Sequence, residues 1–336
     1  MNMSSHSLPN HVIQSVQSSG INRYLVLIFY LTVLVSSSLL FWIQPLFGKL
    51  LLPMLGGAPS VWNTAMMLFQ GLLLAGYAYA HILARLNSLR REILAHVLIL
   101  LVGLAFLPIA IDRIGAPPPG SNPIFWVVSL SLASIGWPFF ALSASAPLLQ
   151  SWFGRSGHPS ANDPYFLYAA SNVGSLTALL TFPLVLEPSV PLGTQSKLWA
   201  GGYISLLVLL LCVCAMLWSS SSTSSTTSPI IRYKSKGDWS DRLFWICLAF
   251  VPSSLLLGVT TYITIDIASL PLFWVIPLSL YLLTFILAFK RRPLVIRSLA
   301  LSAHAMGCVL IFVCFLVGLN SIILTPIVCL HLAVFF

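Results

Sequence analysis

Charge is what this sequence has least of. Only 7% of its 336 residues are Asp, Glu, Lys or Arg and 58% are hydrophobic, against roughly 25% charged in a soluble domain. Such a chain cannot clothe a water-facing surface, which excludes a soluble enzyme. Acidic residues are scarcest, seven in all: Glu92, Asp112, Asp163, Glu187, Asp238, Asp241 and Asp266. They are scattered, so no carboxylate cluster is expected, and no strand–glycine turn–helix unit precedes one of them, as a nucleotide-binding fold requires. No catalytic residue and no cofactor are predicted. The six cysteines (Cys212, Cys214, Cys247, Cys308, Cys314, Cys329) all fall in apolar stretches and lack zinc-site spacing, so they are read as small packing residues rather than disulfide or metal partners. The apolar stretches are continuous rather than alternating, which argues against strands.

What is present is a series of ten apolar stretches, near 22–44, 60–82, 93–111, 124–149, 165–186, 199–218, 243–262, 268–289, 298–318 and 321–336. Most reach the ~20 residues that a helix needs to cross a hydrocarbon core. The predicted fold class is all-α, a polytopic bundle of about ten transmembrane helices whose partner is the lipid bilayer. With the N-terminus inside, thirteen basic residues fall on the cytoplasmic side: Arg23, Arg85, Arg90, Arg91, Arg155, Arg232, Lys234, Lys236, Arg242, Lys290, Arg291, Arg292 and Arg297. Only Lys49, Arg113 and Lys197 fall on the other side. That bias sets the orientation and accounts for the net charge of +9. The cations lie against anionic headgroups, so nucleic acid is not an expected partner. Residues 1–21 form a polar cytoplasmic tail without a cleavage-site pattern, and the first span is read as retained.

Six spans fill residues 22–218. A Ser/Thr-rich basic linker follows over 219–242, opening SSSSTSSTTS, and four spans occupy 243–336. Six spans, a long cytoplasmic linker and a second bundle is the plan of the major-facilitator fold with its two six-helix halves; here the layout is 6 + 4. The chain ends in ILTPIVCLHLAVFF, with no charge after Arg297 and no polar tail. That favours a second half cut short over a complete protein whose last helix ends flush with the membrane.

Polar groups inside spans are where function is expected. In the second span Asn63, Gln70, Tyr77 and His81 fall within about 40° of one another on a helical wheel, a face expected to look into the bundle or a wet cavity, because amides are costly against lipid. In the fifth, Tyr165, Tyr168, Asn172 and Ser175 share a face about 80° wide. Ala170 and Gly174 beside them make an A-x-x-x-G step suited to close helix contact. For each of these residues the choice lies between lining a cavity and hydrogen-bonding the helices together. The connection Gln44–Ser60, QPLFGKLLLPMLGGAPS, is too apolar for a solvated loop and is broken by Pro45, Pro53, Gly56, Gly57 and Pro59. It is expected to be a short interfacial or re-entrant element, with Lys49 reaching to headgroups. Asp266 is the one acidic residue between the seventh and eighth spans, placed to hold a proton or cation or to cap a helix.

Three blocks carry a family resemblance: FWIQPLFGKLLLPMLGGAPSVWNTAMMLFQGLLLAGYAYAHILARL over 41–86, PYFLYAASNVGSLTALLTFPLVLEP over 164–188, and VPSSLLLGVTTYITIDIASLPLFWVIPLSLYLLTFILAFKRR over 251–292. They resemble the membrane region of bacterial spermidine-synthase-like proteins, in which a major-facilitator-like bundle is fused to a soluble synthase-type domain. The resemblance implies the inner bacterial membrane and a soluble synthase-like partner domain. It also implies aminopropyl-transfer chemistry seated in that soluble domain, whose Gly-rich turn and acidic cluster do not occur in this chain. The chain is therefore expected to anchor, and to serve as a transport module for, a polyamine-type synthase. The alternatives are a stand-alone major-facilitator-like transporter and a non-functional remnant.

The charge bias generates the first prediction. In a background without native cysteines, a membrane-impermeant thiol reagent applied outside should label Ser189→Cys and spare Ser224→Cys until the membrane is permeabilised. The reverse pattern would invert the topology.

Overall fold

A backbone inside hydrocarbon has no water to bond and must close its own hydrogen bonds. The computed structural model describes residues 10–55, 59–86, 88–111, 122–162, 164–220, 239–262, 275–288 and 297–317. Among them every regular element is helical. Helix α1 runs Asn10–Leu55 and α2 Pro59–Leu83; α3 is Leu89–Gly103, extended by a 3₁₀ turn to Phe106. Helices α4 (Pro123–Ser131) and α5 (Trp137–Gly154) join through a π-helical turn into one span. Helices α6 (Tyr165–Thr181) and α7 (Glu187–Ser189) join in the same way. Then come α8 (Leu192–Ser220), α9 (Trp239–Tyr262), α10 (Val275–Ala288) and α11 (Arg297–Val317). Six of these units are long and apolar enough to cross a membrane, and two further helices, in α10 and α11, are shorter and apolar. The chain is thus a multi-pass helical membrane protein. The predicted stretch 321–336 and part of 268–289 lie outside the described residues.

One local expectation is corrected. The segment after Gln44 is not a broken interfacial element: α1 continues as helix through Pro45 and Pro53 to Leu55. A proline deletes one donor and crowds the preceding turn, which breaks a helix in water. Within a bundle, packing and polar side chains hold it. Pro45 sits among the buried residues Ile43, Gln44, Leu46 and Phe47. The Gln44 amide donates to the Leu40 carbonyl at 3.4 Å and the Trp199 indole to the Leu39 carbonyl at 2.9 Å. The two π turns also adjoin prolines, Pro138 and Pro183, a usual cause of irregularity in long helices.

The first six helical units form one packed unit; they are numbered as spans in chain order, and α3, the third, is not among the six that are long and apolar enough to cross. The first span (α1) packs against the fifth (α6), the sixth (α8) and the fourth (α5); the second (α2) packs against the fourth (α4 and α5), and the third (α3) against the fourth and sixth. This set has an internal symmetry. Exchanging first with fourth, second with fifth and third with sixth turns the 1–5 contact into 4–2 and the 1–6 contact into 4–3. It leaves 1–4 and 3–6 unchanged. Beyond this unit, α10 packs on α6 and α9 on α10. Leu179 of α6 and Val275 and Leu282 of α10 form a small separate core there, with Phe41 of α1 beside it.

Small residues and single hydrogen bonds set the register between helices. Gly174 is buried against α1: a β-carbon there would overlap the Leu34 carbonyl and lie 3.0 Å from Ser38 Oγ. Ser38 Oγ donates to the Gly174 carbonyl at 3.0 Å, and the hydroxyls of Ser37 and Ser171 meet at 2.7 Å. The A-x-x-x-G step therefore seats α6 on α1. Elsewhere Tyr203 Oη donates to the Leu100 carbonyl at 3.0 Å, Trp137 Nε1 to Ile99 at 2.9 Å and Ser196 Oγ to Ile109 at 2.6 Å.

Gly174→Ala should force α1 and α6 apart at their tightest contact. The expected cost is about 1–3 kcal/mol, the usual penalty for overpacking, read as a lowered midpoint of thermal unfolding in detergent. Gly193→Ala, where a β-carbon meets nothing, should leave the midpoint unchanged.

Candidate functional site

The described basic residues Arg85, Arg90, Arg91 and Arg155 gather at one end of the six-span unit, and Lys49 and Lys197 lie at the other. Two ion pairs mark these ends. Lys49, near the end of α1, pairs with Glu187 at the start of α7. It is therefore held by a carboxylate of the fifth span rather than by headgroups alone. At the basic end Arg155, just past α5, forms a bidentate pair with Glu92 in the first turn of α3, one arm at 2.8 Å. Glu92 is fully buried, and its Oε2 also accepts from the Trp152 indole at 3.2 Å. Arg155 is tied to Ser151 by its Nε on the carbonyl and by Nη2 on Oγ, both at 3.3 Å. This network is absent from the sequence-derived candidates, which treat Glu92 as a loop residue.

The second-span candidates lie on one face of α2, as their spacing requires, but that face is open. Asn63, Gln70, Tyr77 and His81 are all exposed and do not turn into the core of the six-span unit. His81 meets Arg85 at 3.0 Å at the basic end. In α6 the four residues part company. Ser175 is buried, its hydroxyl spent on the Ser171 carbonyl at 2.9 Å, next to Gly174 on the α1 contact. Tyr165 is exposed, while Tyr168 and Asn172 are half-buried. Asn172 Nδ2 donates to the Tyr168 carbonyl at 3.0 Å. Asp266 lies outside the described residues.

Tyr77 of α2 and Tyr168 of α6 are near enough for their phenols to interact electrostatically, although α2 and α6 are not among the helix pairs in extensive contact. Helix α10 closes on the same place. The Tyr168 ring lies 6.3 Å from that of Phe285, and Tyr281 lies 4.9 Å from Phe285, both edge-to-face. Tyr281 in turn bonds Ser253 of α9. The arrangement is an aromatic junction drawn from α2, α6, α9 and α10, with the amides of Asn63, Gln70 and Asn172 on the helices that enter it. Chemically it offers π faces, phenol hydroxyls and neutral amides, with no acid or base among its described residues. Tyrosine faces and neutral amides are groups that can contact a polar or cationic organic molecule.

Comparison of the chain with family models, with curated proteins and with solved structures finds no match.

The Glu92–Arg155 pair generates a stability prediction. Arg155→Ala leaves a buried carboxylate without its counter-charge and should cost about 3 kcal/mol. That is the lower end of the range for a broken buried pair, because Arg155 keeps partial contact with solvent. Glu92→Gln in the same chain should recover most of the loss, and a double-mutant cycle on thermal unfolding measures the coupling. Equal and additive losses would mean that the pair does not hold α3 to α5.

Proposed function

We propose that this chain is the membrane domain of a spermidine-synthase-like fusion protein and that it serves as a major-facilitator-like carrier module beside the synthase-type domain. In this reading the membrane is the inner bacterial membrane, the N-terminus is cytoplasmic, and ten spans are laid out as 6 + 4. The observation that carries it is the pairing of the first six spans. Their most extensive contacts pair up under exchange of spans 1, 2 and 3 with 4, 5 and 6: 1–5 with 2–4, and 1–6 with 3–4. Successive spans alternate in direction, so this pairing supports two inverted triplets, the construction of a major-facilitator half. The seating of α10 on α6 and the polar residues at that seam support a route for cargo between the halves. The cargo class follows from the family resemblance: a polyamine or a related organic cation, met by tyrosine faces and neutral amides.

The test is uptake of radiolabelled spermidine into proteoliposomes holding the full chain. Wild type should accumulate label. Asn172→Leu and Gln70→Leu should each lower uptake about tenfold, the worth of one hydrogen bond of about 1.4 kcal/mol to the cargo, at unchanged protein content in the vesicles. No uptake by wild type would leave anchoring as the domain's role. Uptake indifferent to both substitutions would remove the polar faces from the route.

A further inference from the structure

A second polar site lies away from the aromatic junction, between α2, α3 and α5. His96 stands one turn after Glu92 on α3 and is fully buried. Its Nε2 meets Ser145 Oγ at 3.0 Å. That hydroxyl also lies 3.0 Å from the Ala141 carbonyl. With its proton on that carbonyl it accepts from the imidazole, which makes His96 the Nε2–H tautomer and leaves the Nδ1 lone pair to accept. Nδ1 is buried and meets no partner, and neither does the buried phenol oxygen of Tyr79 on α2. The two rings lie 6.3 Å apart, tilted by 30°. An acceptor and a donor without partners among the described residues thus belong to neighbouring rings inside the bundle. Buried polar groups are bonded in the great majority of cases, and water is the usual partner where protein supplies none.

We propose that a water molecule bridges Tyr79 Oη and His96 Nδ1 and ties α2 to α3 inside the bundle. The bridging water accepts from the phenol and donates to Nδ1. The other polar groups on these helices are already engaged: Glu92 by Arg155 and Trp152, Tyr203 of α8 by the Leu100 carbonyl and Arg85 by His81, while Arg90 lies over the Trp218 ring at 4.9 Å. The inference goes beyond the carrier reading and does not rely on it.

The test is magic-angle-spinning ¹⁵N NMR of the full chain in lipid nanodiscs, labelled at its histidine rings. The His96 signals are identified by their loss in His96→Gln and, should that variant fold poorly, by the displaced Nε2 signal in Ser145→Ala. At neutral pH His96 should appear as the Nε2–H tautomer, with Nδ1 shifted by hydrogen bonding and joined to water by a cross-peak. Tyr79→Phe should abolish that cross-peak and leave the tautomer unchanged. An Nδ1 signal at the position of a nitrogen without a hydrogen bond and lacking a water cross-peak would overturn the proposal.

Discussion

No water is at hand inside the hydrocarbon layer, and the rest of this structure depends on that. In a helix each carbonyl oxygen uses one lone pair on its own ladder and keeps another, so helix backbones are the most plentiful acceptors in the bundle. The chain bonds to them with the smallest neutral donors it has: serine hydroxyls, indole nitrogens and a phenol. Such bonds desolvate no charge, and all but the Ser196–Ile109 bond, which ends just past the 3₁₀ turn after α3, cross from one helix to another at a defined height. Lipid tails are as apolar as leucine, so hydrophobic burial gives little preference for one helix neighbour over another. Close backbone contact at Gly174 and these single bonds decide the register instead.

Charge is admitted only where it can be paired. Both described ion pairs lie near helix ends, and both use a cation near the end of a span that begins a triplet: Lys49 on the first span and Arg155 on the fourth. Their partners differ, Glu187 on the fifth span and Glu92 on the third. The two ends are therefore not equivalent. One pair is partly exposed on both sides, whereas at the basic end the carboxylate is fully buried and also held by Trp152. A half-exposed pair is weak and sensitive to salt. A buried carboxylate under a bidentate guanidinium is the firmer joint of the two, because breaking it strands a charge away from water.

Helical class, several of the spans and the close-contact step at Ala170 and Gly174 were legible in the sequence, because each follows from local composition or from residues four apart. What was not legible depended on neighbours. Pro45 and Pro53 were read by the rules of a solvated chain, where they end helices, and the packing that carries α1 through them comes from distant residues. Glu92 was lost through a boundary: a third span begun at 93 leaves the acid just outside, although Glu92 and His96, four apart, share a face. Wheel geometry grouped Tyr165, Tyr168, Asn172 and Ser175 correctly in angle. An arc 80° wide is broad enough, however, to straddle the edge of a helix contact, so Ser175 went to α1 and Tyr165 to the open side. In α2 the narrow arc held together, yet periodicity gives the direction of one face relative to another, not what lies opposite.

That last point bears on how the two bundles relate. Asn63, Gln70 and Tyr77 are exposed on the surface of the six-span unit, and an amide facing lipid forfeits hydrogen bonds worth several kcal/mol. Such a row is stable only against a polar neighbour or water. Tyr77 lies beside Tyr168, and Tyr168 is where α10 leans on α6, so the row runs toward the line along which the second bundle attaches. Surface that faces lipid elsewhere on the unit is leucine and valine, as on α8 at Ile204, Val208 and Leu211. The polar row therefore marks the side of the six-span unit that a polar neighbour or water has to cover, in contrast to the packed core, which Trp152, Trp199 and Phe139 fill.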